Sequence, residues 1–238
     1  MNVLGFIPAR GGSSRVPSKN IRMLDGKPLI LHTIATAKAA KQITRVVVST
    51  DSEEIARIAL QGGAEVPFLR PKEISGGKST EMEFFDHALA WFKKEESYVP
   101  DVIVLLYPTS PFRRPDTIDR AISEFKLHPE ADSLRSVRLC SEHPYKMWVV
   151  EGDWLKPFVE GRGKDLHTMS YQTLPTVYIQ NASIYITKPA TIDGKRSPTG
   201  DLILPFIMDE LESVDINSEL DFKFAQLLFK AKQGERNL

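Results

Sequence analysis

The chain has 238 residues, 42% of them hydrophobic, and its 31 basic and 31 acidic side chains cancel. These values are typical of a folded protein of moderate size, so we expect a single domain over residues 1–238 and no nucleic acid or anionic membrane as a partner. Cys140 is the one cysteine, which excludes an internal disulfide framework, and no apolar run reaches the length of a bilayer span or has signal-peptide form. We therefore expect a cytoplasmic protein.

Apolar runs alternate with amphipathic stretches in the first half of the chain. Strands are predicted at residues 3–7, 45–49 and 101–106, and helices at 28–40, 52–61, 83–93 and 115–127. Asp51 or Ser52 is placed to cap the second helix. Because the strands are apolar almost throughout, they are expected to be covered on both faces. The sequence thus predicts an α/β fold of Rossmann-like type, a mostly parallel sheet with helices on both faces.

The alternation stops after Arg135. Strand-like stretches at 148–150, 154–159 and 177–186 follow one another without predicted helices, around a polar stretch at 160–167. We predict a projecting β-rich excursion at about residues 144–175, of the kind that often pairs across a dimer axis. A long surface loop with local hairpins is the alternative. The chain ends with an apolar run at 202–207 and an amphipathic helix from about 219 to 232.

The loop after the first predicted strand combines small residues with positive charge. Its residues of interest are Arg10, Gly11, Gly12, Ser13, Ser14, Arg15 and Lys19. The glycines let the backbone turn with exposed N–H groups, and the serines add hydroxyl donors. Such a turn is typical of polyphosphate binding, although an ordinary turn on a basic surface is the alternative. The spacing matches neither the Walker loop nor the dinucleotide fingerprint, so neither of those nucleotide-binding folds is indicated.

This loop resembles the signature of the CMP-sugar synthetases, the acylneuraminate cytidylyltransferase family. It opens with Ile7-Pro8-Ala9-Arg10 and closes on Lys19-Asn20, and the middle, Ser14-Arg15-Val16-Pro17, is similar to the Kdo-activating branch. The resemblance extends from Phe6 to about Phe222. It implies one nucleotidyltransferase domain of the nucleotide-diphospho-sugar transferase type, acting as a homodimer through a dimerisation arm at 144–175. It also implies CTP contacts by Ala9, Arg10, Gly11, Arg15, Lys19 and Asn20.

A second matching segment lies directly before the last predicted helix. In a strand-like conformation Asp215 and Asn217 project from the same side, and a hard cation prefers such converging oxygens. The resemblance implies that both ligate Mg²⁺, although the family has a second aspartate where this chain has Asn217. An amide oxygen still binds Mg²⁺ or one of its waters, but the site loses a full negative charge. The alternative is that these residues, or Asp221, cap the final helix.

Two further segments match the family. Residues 105–113, Leu-Leu-Tyr-Pro-Thr-Ser-Pro-Phe-Arg, follow a predicted strand at its carboxyl end, where open α/β sheets bind ligands. A rigid turn is the alternative reading of this segment. Tyr107 stands where the family usually has glutamine beside the sugar, and Arg70 matches an arginine that faces the nucleotide. The resemblance therefore adds Arg70, Ser79, Tyr107 and Thr109 to the substrate-binding residues.

The expected sugar site departs from the family. Sialate-activating members carry arginines where this chain has Tyr171 and Ile179, so two cations that could pair with the sugar carboxylate are absent. Lys146 and Asn181 do match family positions near the sugar. Arg162 and Lys164, in the predicted arm, are candidate replacements for the missing arginines. Because a buried anion without donors is costly, either other groups bind the carboxylate or the sugar differs.

Together the residues and the resemblance predict a nucleotidylyltransferase that forms a CMP-activated acidic sugar and pyrophosphate from CTP. The expected sugar is sialic acid or a related nonulosonate. Arg10, Lys19 and Asp215 are the predicted catalytic residues, with Mg²⁺ as the cofactor. One alternative is an enzyme that acts on a sugar 1-phosphate with another nucleoside triphosphate. The other is a nucleotide-binding homologue without catalytic activity.

Overall fold

The computed structural model describes residues 1–13, 15–160, 163 and 165–236. Its strands are β1 (Val3–Pro8), β2 (Met23–Leu24), β3 (Lys27–Pro28), β4 (Arg45–Ser49), β5 (Val102–Leu105), β6 (Ser133–Leu139), β7 (Trp148–Glu151), β8 (Trp154–Pro157), β9 (Tyr178–Thr187) and β10 (Ile203–Ile207). Its helices are α1 (Leu29–Ala39), α2 (Glu53–Gln61), α3 (Glu81–Glu96), α4 (Pro115–Leu127), α5 (Pro189–Lys195) and α6 (Glu219–Arg236). Within these residues, no helix has the length and apolar character that crossing a membrane requires.

The main sheet has the strand order β10-β6-β9-β5-β1-β4. β1 runs parallel to both β4 and β5, and β10 runs parallel to β6. β9 is antiparallel to its two neighbours, β5 and β6. The predicted mostly parallel sheet is confirmed, with one antiparallel strand inside it. Because β1 and β5 are parallel neighbours, the loops that follow them lie at the same edge of the sheet.

Successive residues of β1 pack on opposite faces of the sheet. Val3 and Ile7 belong to an apolar cluster with residues of α1, α2 and α4, whereas Leu4 and Phe6 belong to a cluster with residues of α3 and α5. All six β1 residues are buried. This period-two division explains why the strand is apolar without alternation: helices cover both faces, as predicted.

Two of the predicted helices, α2 and α3, begin at side-chain caps. Ser52 caps α2 by accepting a hydrogen bond from the backbone N–H of Ile55. Helix α3 begins at Glu81, two residues before its predicted start, because Thr80 and Glu83 form a reciprocal capping box. The capping motif was the signal that would have placed this boundary.

Two elements were missed after residue 131. In the described part of the chain, the stretches predicted at 148–150, 154–159 and 177–186 do follow one another without an α-helix between them, as β7, β8 and β9, but β6 before them and α5 after them were not predicted. Arg135 and Ser136 are buried within β6, and these polar residues interrupt the apolar run that would have marked a strand. α5 has only seven residues and contains Gly194, so its helical periodicity is weak.

The arm, residues 144–175, contains a hairpin that is separate from the main sheet. Among the described residues, β7 and β8 pair with each other alone, antiparallel, and every residue of both strands is exposed. Gly152 makes the turn between them with a positive φ of 60°. The stretch predicted at 177–186 lies outside the hairpin, as β9 of the main sheet. Pairing of the arm with a second copy of the chain stays a prediction.

Candidate functional site

The loop after β1 is held by side chains from other parts of the chain. Gly11 donates its backbone N–H to Asp51 Oδ1 (2.8 Å), and Asn20 Nδ2 donates to the carbonyl of Arg10 (3.0 Å). A Cβ at Gly11 would lie 3.1 Å from the Cβ of Ser52, so glycine permits this close approach. The expectation of exposed N–H groups is therefore wrong for Gly11, whose N–H is already bonded to a carboxylate.

Arg10 and Lys19 line a first cavity of about 270 Å³ beside the carboxyl ends of β1 and β5. Lys19 Nζ donates to the carbonyl of Ile216 (2.8 Å). Burial lowers the pKa of Lys19; Asp215 opposes this effect, while the charges of Arg15 and Arg10 lower the pKa further. Three cations thus lie near one another, an arrangement that an added polyanion would stabilise.

The rest of the first cavity is lined partly by residues 70–79 and by the segment after β5. Arg70, Ser79, Tyr107 and Thr109 are among its lining residues. Arg70 is only 5% exposed, and this burial lowers the pKa of its guanidinium. Its Nε has no hydrogen-bond partner among the residues that the structure describes. A buried donor of this kind needs an acceptor, which a water, an ion or a bound ligand would supply.

Tyr107 is joined to two charged residues that the sequence analysis did not single out. Its hydroxyl donates to Glu81 Oε1 (2.7 Å), and Arg135 Nη2 donates to Glu81 Oε2 (3.2 Å). The Arg135 guanidinium lies 4.0 Å from the ring centre of Tyr185. Burial, reinforced by the charge of Glu81, raises the pKa of Tyr107. Tyr107 therefore keeps its proton and donates a hydrogen bond to the Glu81 carboxylate in the cavity wall.

A second cavity, of about 620 Å³, is lined by Asp215, Asn217 and Asn181 together with residues of β6 and β9. Asn217 connects this cavity to the basic loop, because its Nδ2 donates to Asp215 Oδ2 and its Oδ1 accepts from Arg15 Nη2 (3.3 Å). Lys19 lines the first cavity and bonds to the backbone between these two residues. The two cavities are therefore neighbours across the segment 215–217.

Helix α6 is capped by residues other than Asp215. Asp221 Oδ2 accepts hydrogen bonds from the backbone N–H groups of Asn217 (2.9 Å) and Ser218 (2.7 Å), and Ser218 Oγ accepts from the N–H of Asp221 (3.2 Å). Burial alone would raise the pKa of Asp221, but these bonds lower it below its ordinary value. The alternative in which the Asp215 and Asn217 side chains cap the helix is therefore wrong, and that for Asp221 is confirmed.

The fit of a magnesium ion depends on Asp215. Its Oδ1 is buried and lacks a hydrogen-bond partner among the described residues, although no group of three or more His, Cys, Asp or Glu side chains there could hold a metal. Mg²⁺ is commonly bound through one or two carboxylates with substrate phosphates and waters, so one carboxylate suffices. Asn217 turns its amide nitrogen toward Asp215 and its oxygen toward Arg15. It fits as a ligand only with the amide turned.

Asn181 lines the second cavity and is 4% exposed. Its Nδ2 donates to Ser213 Oγ (2.8 Å), and its Oδ1 accepts from Ser136 Oγ (2.6 Å). Both ends of the amide are therefore used inside the protein. We conclude that Asn181 holds β6, β9 and the segment before α6 together beneath the cavity.

Several predicted residues lie away from the lining of both cavities. Ala9 is buried in the core, 1% exposed. Lys146 lies in the arm, where its Nζ donates to the carbonyls of His167 (3.1 Å) and Met169 (2.7 Å). In this structure Lys146 thus orders the arm of its own chain and does not reach the sites above. The predicted residues that lie outside the described part of the chain are Ser14, Arg162 and Lys164.

Comparison with known proteins identifies the family. A family model described as cytidylyltransferase matches residues 4–147. The chain is 34% identical to a CMP-N,N'-diacetyllegionaminic acid synthase of Legionella pneumophila over 98% of both chains. It is 30% identical to an N-acylneuraminate cytidylyltransferase of Escherichia coli over 98% of this chain and 54% of that protein. The chain belongs to the cytidylyltransferase family.

A solved structure supports the same fold for this cytidylyltransferase. The solved structure is a CMP:2-keto-3-deoxy-manno-octonic acid synthetase complexed with CTP. This chain matches it with a TM-score of 0.70 over 98% of this chain and 100% of that chain. The two sequences are only 16% identical, so this likeness shows the fold alone. The predicted family resemblance and the nucleotidyltransferase-like α/β fold are confirmed.

A buried arginine holds the loop after β5 of the cytidylyltransferase in place. Arg113 Nη2 donates to the carbonyl of Tyr107 (3.0 Å), and its Nε donates to Ser183 Oγ (3.2 Å). Burial lowers the pKa of Arg113 to about 9, although Glu212 and Asp215 oppose the shift. In the sequence, Arg113 stands out only as the last residue of the matching segment 105–113. Arg113 thereby fixes the carbonyl of Tyr107, a residue that lines the first cavity.

Proposed function

We propose that this cytidylyltransferase transfers CMP from CTP to an acidic nonulosonic sugar and releases pyrophosphate. The observation that carries the proposal is the junction between the cavities: Lys19 bonds to the backbone of Ile216, and Arg15 bonds to Asn217 beside Asp215. A triphosphate bound by the basic loop would thus place its phosphates next to Asp215 Oδ1, which has no hydrogen-bond partner among the described residues. The names of the relatives, which refer to legionaminic and acylneuraminic acids, indicate the class of the acceptor sugar.

The proposed binding residues form two sets: one binds the triphosphate, and the other surrounds the rest of the nucleotide. Arg10, Arg15 and Lys19 neutralise the triphosphate and the leaving pyrophosphate, which acquires charge as the reaction proceeds. Arg70, Ser79, Tyr107 and Thr109 surround the rest of the nucleotide, and Asn20 keeps the Arg10 carbonyl in place. In the reaction the sugar's anomeric oxygen forms a bond to the α-phosphorus. The bond from that phosphorus to the oxygen bridging it to the β-phosphorus breaks, this oxygen leaves as part of pyrophosphate, and the proton of the anomeric hydroxyl passes to water.

We propose Mg²⁺ as the cofactor, with Asp215 as its protein ligand and Asn217 as the second ligand once its amide is turned. When bound, the ion supplies charge neutralisation on the triphosphate and on the departing pyrophosphate. Asp215 positions that charge through its unpartnered oxygen, and Lys19 stays close enough for its pKa to respond to Asp215. Removal of Mg²⁺ by chelation is expected to abolish turnover, with activity restored by added Mg²⁺.

A pyrophosphate-release assay tests the proposed function. The protein is incubated with Mg²⁺ and each of CTP, GTP, UTP and ATP, with N-acetylneuraminic acid, N,N'-diacetyllegionaminic acid or a set of sugar 1-phosphates as the acceptor. We expect release only with CTP and an acid sugar. Release with sugar 1-phosphates alone would support the alternative enzyme. Tight CTP binding with no release over any acceptor would support the non-catalytic homologue.

We propose that the enzyme is a homodimer joined through the arm. Large apolar side chains are exposed on its hairpin, including Val150 (71%), Trp154 (75%) and Phe158 (62%). Exposed apolar residues gathered on one small element favour an interaction with another protein surface. Light scattering after gel filtration is expected to give a dimer for the wild type and a monomer for the double variant Trp154→Glu and Phe158→Glu. A monomeric wild type would exclude this assembly.

We propose the cytoplasm as the compartment of the enzyme. Cys140 is the only cysteine of the chain and is not part of a disulfide. A protein with one free thiol is suited to a reducing compartment. Cell fractionation with a tagged chain tests this proposal, and recovery from an extracytoplasmic fraction would contradict it.

A further inference from the structure

The second cavity combines several acidic groups with one cation. Among the described residues that line it, the acids are Glu210, Asp215 and Asp221, and the cation is Arg138 of β6. We propose that Arg138 binds the carboxylate of the sugar acceptor and thereby selects an acidic sugar over a neutral one. This inference rests on the proposed function, because it takes the acceptor to occupy this cavity.

The register of the sheet places Arg138 beside the cavity. In the antiparallel pair of β6 and β9, Arg138 lies directly opposite Ile179, and both residues line the cavity. Residues that face each other in such a pair have Cβ atoms about 4.5–5.5 Å apart and share a face of the sheet. Ile179 is the position at which the family resemblance implies an arginine. In this chain a cation is therefore available from the facing strand, one strand spacing away.

An irregularity in the sheet fixes this arrangement. Arg135 pairs with Tyr185 and Val137 pairs with Gln180, so residues 181–184 of β9 stand against Ser136 alone. Ser136 Oγ accepts from the backbone N–H of Ile184 (2.8 Å). Such bulges re-aim the side chains that follow them and are common next to active sites. Here the pairing resumes beyond the bulge, and Arg138 belongs to that resumed segment.

The guanidinium of Arg138 has donors to spare. Within the described residues its one hydrogen bond runs from Nη1 to the neighbouring carbonyl of Leu139 (3.1 Å), and it forms no ion pair. Arg135, three residues earlier, is by contrast bonded to Glu81. A guanidinium carries five N–H donors, enough to bind a carboxylate through two bonds while keeping the first. Without this cation, the charged side chains among the described residues that line the cavity would all be acids, and they would repel a sugar carboxylate.

The experiment measures how strongly the enzyme distinguishes an acid from its neutral ester. The acceptor is whichever of N-acetylneuraminic acid and N,N'-diacetyllegionaminic acid the wild type binds more tightly, and the comparison compound is its methyl ester. Binding of the acid or the ester is measured by calorimetry, in an experiment separate from the turnover assay with CTP and Mg²⁺. The affinity is therefore known even where no product forms. The variants are Arg138→Ala, Arg138→Gln, and Arg138→Ala combined with Ile179→Arg. Arg57→Ala, at an exposed position of α2, is the matched control.

Arg138→Ala is expected to weaken binding of the acid, and to raise its KM, by about 10- to 100-fold, the usual effect of losing a charged hydrogen-bonded pair. The KM for CTP and the affinity for the ester should stay unchanged, so the preference for the acid is lost. Ile179→Arg should restore part of this preference, and Arg57→Ala should change nothing. Arg138→Gln gives the same test at nearly equal side-chain length if the alanine variant does not fold.

Two results overturn the inference in different ways. If the wild type turns over the acid and Arg138→Ala or Arg138→Gln keeps the preference for acid over ester, Arg138 does not bind the carboxylate and the proposed function stands. If the wild type binds CTP but neither acid, the proposed function fails and the inference fails with it.

Discussion

The two cavities of this cytidylyltransferase carry opposite charge. Among the described residues, the first is lined by three cations, Arg10, Lys19 and Arg70, against one acid, Glu81. The second is lined by three acids against the single cation Arg138. A polyanion alone would therefore be stabilised in the first cavity and repelled in the second. An acidic acceptor can occupy the second cavity only where a metal ion or that arginine offsets the acids.

The charge difference corresponds to a difference in how the cavities are built. The cations of the first cavity lie in loops near parallel strand ends, so most of them come from short contiguous segments. The second cavity is assembled from β6, β9 and the segment before α6, which lie far apart in the chain. The segment 215–217 joins the two, because Lys19 and Arg15 reach it from the basic loop.

The largest effect is expected at this junction, for the variant Asp215→Asn. The change removes the charge of the Asp215 carboxylate, whose Oδ1 has no partner in the described part of the chain, while keeping the shape of the side chain. A charge that positions the metal ion stabilises the transition state by several kcal/mol, so its loss is expected to lower kcat about 1000-fold. The rate of pyrophosphate release at saturating CTP and Mg²⁺ measures this kcat. Asp193→Asn, at an exposed position of α5, is the control. Full activity in Asp215→Asn would show that the junction does not position a metal.

Most of the fold and the basic loop of the first cavity were predictable because their signals are local, whereas β6 and α5 were missed. Buried strands are apolar over several successive residues, and Arg10, Lys19 and Asn20 fall within one loop. The second cavity gave no such signal. Arg138 faces Ile179 only through pairing between strands about 40 residues apart, and a bulge shifts the register between them. Glu81 likewise meets Tyr107 only in the folded chain.

The next largest effect tests the first cavity alone. The double variant Arg10→Ala and Lys19→Ala is expected to weaken CTP binding about 100-fold or more, because each cation contributes charged hydrogen bonds to the triphosphate. Calorimetric titration with CTP measures this affinity. The control, Arg57→Ala with Lys41→Ala, removes the same net charge from exposed positions. Equal affinity in the two double variants would contradict a phosphate role for the loop.

The depressed pKa of Lys19 predicts a pH dependence of CTP binding. Burial moves this pKa below the ordinary value of 10.5, so Lys19 loses its proton at a lower pH than an exposed lysine. Only the charged form attracts the triphosphate, and CTP affinity is therefore expected to fall as the pH rises through the depressed pKa, by up to about tenfold. Bound CTP should in turn raise the pKa, which causes proton uptake on binding.

Titrations at increasing alkaline pH, in buffers of different ionisation enthalpy, measure both effects. Lys19→Arg is the control, because an arginine keeps its charge throughout this range and its affinity for CTP should stay constant. A wild-type protein with the same pH profile as Lys19→Arg would show that the lysine does not titrate in this way.

The smallest effect concerns the one acid of the first cavity. Tyr107→Phe removes the donor to Glu81 Oε1 and leaves a partly buried carboxylate with Arg135 as its remaining partner. A lost hydrogen bond to a charged group is expected to reduce the free energy of unfolding by about 1–3 kcal/mol. Tyr98→Phe is a matched control, since the Tyr98 hydroxyl is buried without a partner among the described residues. Urea denaturation compares the two, and an equal loss in both would contradict the role of Glu81 as acceptor. CTP affinity should also fall a few-fold in Tyr107→Phe, because the carboxylate then repels the bound phosphates more strongly.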